Sequence, residues 1–216
     1  MFSPIELSTL VLISLLIGFL ALDTTIAFQT LISQPIFSGG ILGAVLGDFS
    51  TGIELGILMQ LLWINIIPAG AAVFPEGNLA SMVTCAIVLL LPEMSYPNLL
   101  FTLAFIIGIA VSYWGALLTV LDRKLNGKIL NLAIRACEEV QITRIQLLDI
   151  VSVLIYFLLM SALAFCAILI GSYLFTLLSP VVPQILERAL IFVKPILWGI
   201  GLFLTGQLFV KSIVKQ

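Results

Sequence analysis

Polar side chains that could bind a small molecule are concentrated between residues 46 and 81, within an otherwise apolar chain. Gln60 lies three residues before Trp63, and Glu76 is followed closely by Asn78. Amides both donate and accept hydrogen bonds, and carboxylates accept them strongly. An indole ring can in addition cover the apolar face of a pyranose. This combination favours recognition of a neutral, polyhydroxylated molecule such as a sugar.

Nine residues are predicted to form or line this site. The predicted substrate-binding residues are Gln60, Asn65, Glu76, Asn78 and Asp48, and the predicted further lining residues are Asp23, Gln29, Trp63 and Gly70. Gln60 and Trp63 would share one face of a helix. Taken alone, this pair is better explained as an interfacial tryptophan and an interhelical glutamine bond. The polar residues around Asp23 fit a short turn and a cavity-lining break equally well.

The composition identifies the chain as a helical membrane protein. Hydrophobic residues make up 62% of it and charged residues 9%, with a mean hydropathy of +1.27, whereas soluble domains have about 25% charged residues. The apolar runs are continuous, unlike the alternating segments of a membrane β-barrel. We predict an all-α, polytopic bundle forming a single membrane-embedded domain over residues 1–216.

The chain contains no histidine. A His-ligated metal and a phosphohistidine on this chain are therefore excluded, and any phosphate chemistry must be carried by a partner. We predict no catalytic residue, metal or cofactor, and no nucleic-acid partner.

A short apolar segment from Ile53 to Ile67 precedes Pro68 and Gly70. Roughly 20 residues are needed to cross a membrane, so these 15 predict a half-helix or a re-entrant hairpin. Segments of this kind are the best sequence indicator of a transporter's binding site. Just before it, glycines four residues apart, from Gly39 to Gly47, predict close helix packing.

Five further apolar segments frame this region. They are Ile5–Leu22, Leu79–Leu91, Leu99–Leu121, Leu147–Leu178 and Ala189–Val210. The first lacks the basic start and cleavage site of a signal peptide, so we expect it to be a mature helix. Because Leu147–Leu178 is too long for one span, it is expected to tilt strongly, protrude or break, and a break would fall at Gly171-Ser172. Lys194 is predicted to extend towards the membrane interface.

The basic residues predict the orientation of the chain. None occurs before Arg123, and the loop from Asp122 to Arg144 is rich in them, so this loop and the tail after Val210 should face the cytoplasm. Within the loop, Leu125 to Ile145 is predicted to form an amphipathic helix on the membrane surface or against a partner.

Three motifs together resemble the C subunit of the mannose/fructose/sorbose-type enzyme II permeases of the bacterial phosphoenolpyruvate-dependent phosphotransferase system. They are Leu46-Gly47-Asp48-x-x-Thr51-Gly52, Gln60-Leu61-Leu62-Trp63 and Pro68-x-Gly70-Ala71-Ala72-x-x-Pro75-Glu76. In this family many members carry Glu where this chain has Gln60. The exchange removes a charge, so the sugar preference is expected to differ from that of mannose-type members.

The resemblance implies a function and a set of partners. The chain would be the sugar-binding and translocating subunit of an elevator-type permease with re-entrant elements, multi-pass in the bacterial inner membrane and importing a hexose or related sugar. It would pair with a D subunit in an oligomer surrounded by lipid. Soluble A and B components would carry the phosphorylated histidines, so this subunit would not itself be an enzyme.

Two other functions are weighed against this one. The chain could be a non-transporting scaffold or sugar sensor on the same fold, an alternative based on its ending at Gln216, where typical members continue. An ion or proton carrier would depend on Asp23, Asp48, Glu54 and Glu76, but the basic or histidine partners of a relay are missing from the membrane segments. Neighbouring genes for D, A and B components would favour transport over a scaffold.

Overall fold

The computed structural model of the chain describes residues 5–66, 73–91 and 95–214, without the side chains of 212–214. All regular secondary structure in these residues is helical, as predicted. The helices are α1 (Leu7–Leu22), α2 (Pro35–Leu46), α3 (Phe49–Trp63), α4 (Gly77–Leu90), α5 (Pro97–Glu138), α6 (Ile142–Leu178), α7 (Gln184–Leu190) and α8 (Val193–Val214). Three stretches are long and apolar enough to cross a membrane: α5, α6, and α7 together with α8.

Helix α4 is the centre of the bundle. Eleven of its fourteen residues are buried, and it contacts α1, α2, α3, α5 and α6. A helix that is apolar on all sides is stable only when it is surrounded by protein or lipid. The start of α4, which follows Glu76 and carries Asn78, is therefore held by neighbours on several sides.

Helices α2 and α3 form a tight hairpin. Gly47 ends α2 with φ +87°, a conformation that favours glycine, and Asp48 caps α3 by accepting a hydrogen bond from the Thr51 amide at 3.0 Å. The helices then touch through glycines: a Cβ built at Gly39 would lie 2.5 Å from the carbonyl oxygen of Gly52. The predicted close packing is confirmed for Gly39, whereas Gly47 makes the turn.

The hairpin helices are too short to cross a membrane. Helix α3 has 15 residues, about 22 Å at 1.5 Å per residue, and α2 has 12, whereas the hydrocarbon core is about 30 Å thick. The predicted short helix before Pro68 is thus confirmed. The break itself, including Pro68 and Gly70, lies outside the described residues.

Helix α5 differs from its prediction. A membrane helix ending near Leu121 and a separate surface helix from Leu125 to Ile145 were expected, but one helix of 42 residues runs on to Glu138. Residues 122–138 contain no proline, and Gly127, the single glycine among them, has open space around it. The chain reverses instead at Val140, which has φ +53°.

Helix α6 is also continuous, so the break considered at Gly171-Ser172 does not occur. Gly171 lies against Ile87 of α4, whose Cδ1 would be 2.7 Å from an added Cβ. The Ser172 hydroxyl donates to the carbonyl oxygen of Leu169 at 2.9 Å. Glycine here permits close packing without breaking the helix. The extra length of α5 and α6 forms a helical hairpin, which we call the arm (residues 122–150).

The C-terminal helices are tied to the bundle by two charged side chains. Glu187 of α7 accepts hydrogen bonds from the backbone amides of Asn98 and Leu99 at 2.9 and 3.0 Å, and so caps the start of α5. Lys194 of α8 forms an ion pair with Glu54 of α3 at 2.7 Å. Lys194, expected to extend to the membrane interface, therefore has a protein partner.

Candidate sugar site

A polar cavity of about 140 Å³ lies where the loop before α2, the end of α3 and the start of α4 meet. Its lining combines amide, hydroxyl, carboxyl and aromatic groups from segments distant in sequence. The lining residues are Thr24, Gln34, Gln60, Trp63, Ile64, Ile66, Phe74, Pro75, Glu76, Gly77 and Asn78. Four of the nine predicted site residues are thus brought together here: Gln60, Trp63, Glu76 and Asn78.

Gln60 and Trp63 both present unpaired polar atoms. The Gln60 amide nitrogen donates to Oε1 of Gln34 at 3.2 Å. Its other end, Oε1, is buried without a hydrogen-bond partner among the described residues, and so is the indole nitrogen of Trp63. Buried polar atoms are nearly always paired in folded proteins, so these two are unsatisfied polar atoms on residues that line the cavity.

The indole of Trp63 is fixed by the start of α4. A Cβ added at Gly77 would lie 2.7 Å from Cδ2 of the indole, so the ring packs directly on the backbone of the glycine. Any larger residue at 77 would push the ring out of place. This contact fixes the spacing between the indole nitrogen and the α4 residues of the cavity.

Asn78 is held by two hydroxyls of the loop before α2. Its amide nitrogen lies 3.3 Å from Oγ of Ser33 and 3.5 Å from Oγ1 of Thr24. With the nitrogen engaged, the carboxamide oxygen of Asn78 is the end that remains for other partners.

Glu76 is buried, with 4% of its surface exposed. One carboxylate oxygen accepts a hydrogen bond from Thr119 of α5 at 2.8 Å, and the backbone amide of Glu76 donates to the carbonyl of Ser112 at 2.9 Å. Arg123, one turn beyond Thr119, provides a favourable charge interaction. Glu76 therefore both lines the cavity and anchors the start of α4 to α5.

Asp23 organises the loop between α1 and α2. Its buried carboxylate accepts hydrogen bonds from the amide and hydroxyl of Thr30 and, at 3.1 Å, from the amide of Ser33. Asp23 does not line the cavity itself, but the loop that it closes provides Thr24 and Gln34 to the cavity wall. A short turn and a cavity-lining break were both considered for this region. The structure shows a turn, and residues at its two ends line the cavity.

The remaining predicted residues lie elsewhere. Asp48 caps α3 and does not line the cavity. Asn65 is exposed beyond the end of α3. Gln29 is exposed in the same loop as Asp23, where its amide nitrogen lies 3.5 Å from the carbonyl oxygen of Thr25. Gly70 lies outside the described residues.

Gln34, Thr24 and Phe74 line the cavity but were not predicted to do so. The one local signal for Gln34 was its position immediately before Pro35, at a helix start beside other polar residues. In the described part of the chain, no three or more Cys, Asp or Glu residues lie close enough to share a metal ion.

Comparison with known proteins identifies the family to which the chain is similar. Residues 7–214 match the family described as the sorbose-specific IIC component of the phosphotransferase system. The sorbose-specific EIIC component of Klebsiella pneumoniae is 28% identical over 123 residues, which are 57% of this chain and 43% of that protein. The one from Lacticaseibacillus casei is 33% identical over 121 residues, 55% of this chain and 40% of that protein. The match therefore spans less than half the length of these relatives.

Two solved structures share the fold. One, described as a membrane protein, superposes with a TM-score of 0.71 at 18% identity, covering 97% of this chain and 81% of that one. The other is the cryo-EM structure of the mannose transporter ManYZ in complex with microcin E492, with a TM-score of 0.64 at 20% identity, covering 94% and 80%. At these identities the similarity establishes the helical arrangement alone.

Proposed function

The chain belongs to the sorbose-specific IIC component family of the phosphotransferase system, and from this premise we propose that its polar cavity binds the sugar that the complex imports. The family consists of integral proteins of the bacterial cytoplasmic membrane. In this proposal the chain binds and translocates a hexose or related sugar together with a D subunit. Soluble A and B components carry the phosphoryl group, consistent with a chain that contains no histidine.

The observation that carries this proposal is the pair of unpaired atoms in the cavity. Gln60 Oε1 is an acceptor and Trp63 Nε1 a donor, both buried, and leaving such groups without partners costs about 1–3 kcal/mol each. A sugar hydroxyl can satisfy either one, because it both donates and accepts. The polar cavity, at about 140 Å³, is close to the roughly 150 Å³ cavity that holds benzene, so its size suits a six-membered ring.

The cavity residues at the start of α4 also support sugar binding. Asn78 has its nitrogen held by Ser33 and Thr24, which leaves its oxygen for a second hydroxyl. Glu76 adds a buried carboxylate at the same end of α4. Ligand sites typically combine an apolar wall with a few polar groups that fix orientation, and Trp63 provides the aromatic surface here.

The α2–α3 hairpin suits an elevator-type movement. Gly39, Gly43 and Gly52 bring the two helix backbones into direct contact, so the hairpin should move as one rigid unit. Gln60 lies near the end of α3 and its partner Gln34 immediately precedes α2. A sugar bound there would be carried with the hairpin.

Replacement of Gln60 by alanine tests the site. Binding of radiolabelled L-sorbose, D-fructose and D-mannose is measured on the chain purified with a D subunit. Gln60→Ala should weaken binding of the preferred sugar by about 5- to 150-fold, because one buried hydrogen bond to the ligand is lost. Gln207→Ala is the matched control, since Gln207 is exposed on α8 and does not line the cavity.

The outcomes separate the competing functions. Unchanged affinity for every sugar in an assembled Gln60→Ala complex would rule out the site. Binding without phosphoenolpyruvate-dependent uptake into vesicles would favour the sugar sensor over the transporter. Glu76→Gln keeps the acceptor for Thr119 but removes the charge, and so shows whether the carboxylate acts as an ion.

A further inference from the structure

Gln34 lies outside the three sequence motifs, yet its side chain contacts Gln60 of the second motif. It immediately precedes α2, and its side-chain oxygen accepts the hydrogen bond from Gln60 Nε2 at 3.2 Å. Both side chains line the polar cavity. Among the described contacts, this is the side-chain hydrogen bond that joins the loop before α2 to α3.

A carboxamide has one donating end and one accepting end, so a partner on one end decides which end faces the other way. Gln34 engages the nitrogen of Gln60, and the Gln60 oxygen is therefore the end without a partner. The indole nitrogen of Trp63, on the same face of α3, can only donate. Two cavity-lining residues, three positions apart on α3, therefore carry one unsatisfied acceptor and one unsatisfied donor.

We propose that Gln34 is a positioning residue: it sets the direction of the Gln60 carboxamide so that Gln60 and Trp63 together recognise one sugar hydroxyl as donor and acceptor at once. The hydroxyl donates its hydrogen to Gln60 Oε1 and accepts from Trp63 Nε1. This inference rests on the proposed function, because it assumes that the cavity binds a sugar. It adds that one position on the sugar must carry a hydroxyl group.

The backbone holds Gln34 firmly enough for this role. The Gln34 amide donates to the carbonyl oxygen of Leu31 at 3.0 Å, and the preceding residue, Ser33, donates its amide to Asp23. Pro35 follows as the first residue of α2, which restricts the backbone of Gln34 to extended conformations. The side chain thus starts from a fixed point beside the cavity.

Two substitutions at Gln34 make opposite predictions. Gln34→Glu keeps an acceptor for Gln60 Nε2, so the Gln60 oxygen still faces the cavity. Gln34→Lys offers only donors and should reverse the Gln60 carboxamide, so that the cavity presents two donors. Gln29→Lys is the matched control, because it places the same charge in the same loop on an exposed residue that does not line the cavity.

The measurement is competition against a bound radiolabelled sugar, chosen from L-sorbose, D-fructose and D-mannose, by its monodeoxy and monofluoro analogues. Fluorine can accept weakly but cannot donate. In the wild-type complex we expect one position at which fluorine or hydrogen weakens binding by about 10-fold. Gln34→Glu and Gln29→Lys should retain this preference, whereas Gln34→Lys should bind the parent sugar about 10-fold more weakly and lose most of its preference for hydroxyl over fluorine.

The outcomes test two statements, the positioning role of Gln34 and the proposed function. If the Gln34→Lys complex binds sugar and still distinguishes hydroxyl from fluorine as the wild type does, the positioning role is overturned. If Gln34→Glu loses the preference as fully as Gln34→Lys, the role is overturned as well, since the acceptor was retained. If the wild-type complex binds none of the sugars, the proposed function fails first, and this inference fails with it.

Discussion

Replacement of Gly52 by alanine tests whether the hairpin geometry positions the proposed sugar site. A Cβ at residue 52 would lie 2.4 Å from the carbonyl oxygen of Gly39 and 2.7 Å from Cα of Gly43. Both are backbone atoms, so no side chain can rotate away to make room. An ordinary contact begins near 3.4 Å, so α3 must move away from α2 by about 1 Å.

This displacement has two measurable consequences. Overpacking of this kind costs about 1–3 kcal/mol of stability. The Gln60–Gln34 bond, at 3.2 Å, joins the same two structural units, and a shift of about 1 Å would take it beyond hydrogen-bonding distance. With the Gln60 carboxamide released, we expect sugar affinity to fall about 10-fold, although residue 52 does not line the cavity.

The assay combines thermal unfolding of the purified complex with binding of the radiolabelled sugar. Gly127→Ala is the control, because Gly127 is also in a helix but a Cβ there meets nothing within 4 Å. Alanine at 127 should leave affinity unchanged and preserve or raise stability, since it favours helix. Wild-type stability and affinity in Gly52→Ala would refute the idea that backbone contact between α2 and α3 sets the site.

Two further predictions concern the loop before α2 and the orientation of the arm. Asp23→Asn should lower both the melting temperature and the sugar affinity, because the amide nitrogen of asparagine cannot accept the hydrogen bonds that the carboxylate receives from Thr30 and Ser33. Asp149→Asn is the control, since Asp149 is exposed, and it should change neither quantity. An Asp23→Asn complex as stable as the wild type would contradict the role assigned to Asp23. Cys137 is exposed on the arm and should react with a membrane-impermeant maleimide in inverted but not in right-side-out vesicles, with Cys137→Ser as the control; labelling from outside would reverse the predicted topology.

The parts of the site that were predictable from the sequence depend on local patterns. Gln60 and Trp63 are three residues apart on a short helix, and helical geometry alone brings them to one face. The shortness of that helix was visible because Pro68 and Gly70 follow it. Glu76 was included because it ends the last of the three motifs and Asn78 because it lies two residues further on, and both line the cavity.

The rest depends on contacts between segments distant in the chain. Gln34 lies 26 residues from Gln60, and no spacing rule connects them. Asp48 has a side chain that could bind a ligand, but it caps the start of α3 instead. Its position in the sequence fits both roles equally well. The C-terminal end of α5 was missed for a different reason: nothing in residues 122–138 distinguishes a helix that continues from one that restarts.

The length of the arm has a mechanical consequence. At 1.5 Å per residue the 42 residues of α5 extend about 63 Å, roughly twice the thickness of the hydrocarbon core. The part of α5 that belongs to the arm, residues 122–138, accounts for about 26 Å of this length, and α6 runs beside it. The arm would act as a lever: a tilt of about 10° at its base would displace its tip by about 4.5 Å, most of one helical turn. A small rearrangement beside Glu76 and Thr119, near the base of the arm, would therefore be enlarged at its tip.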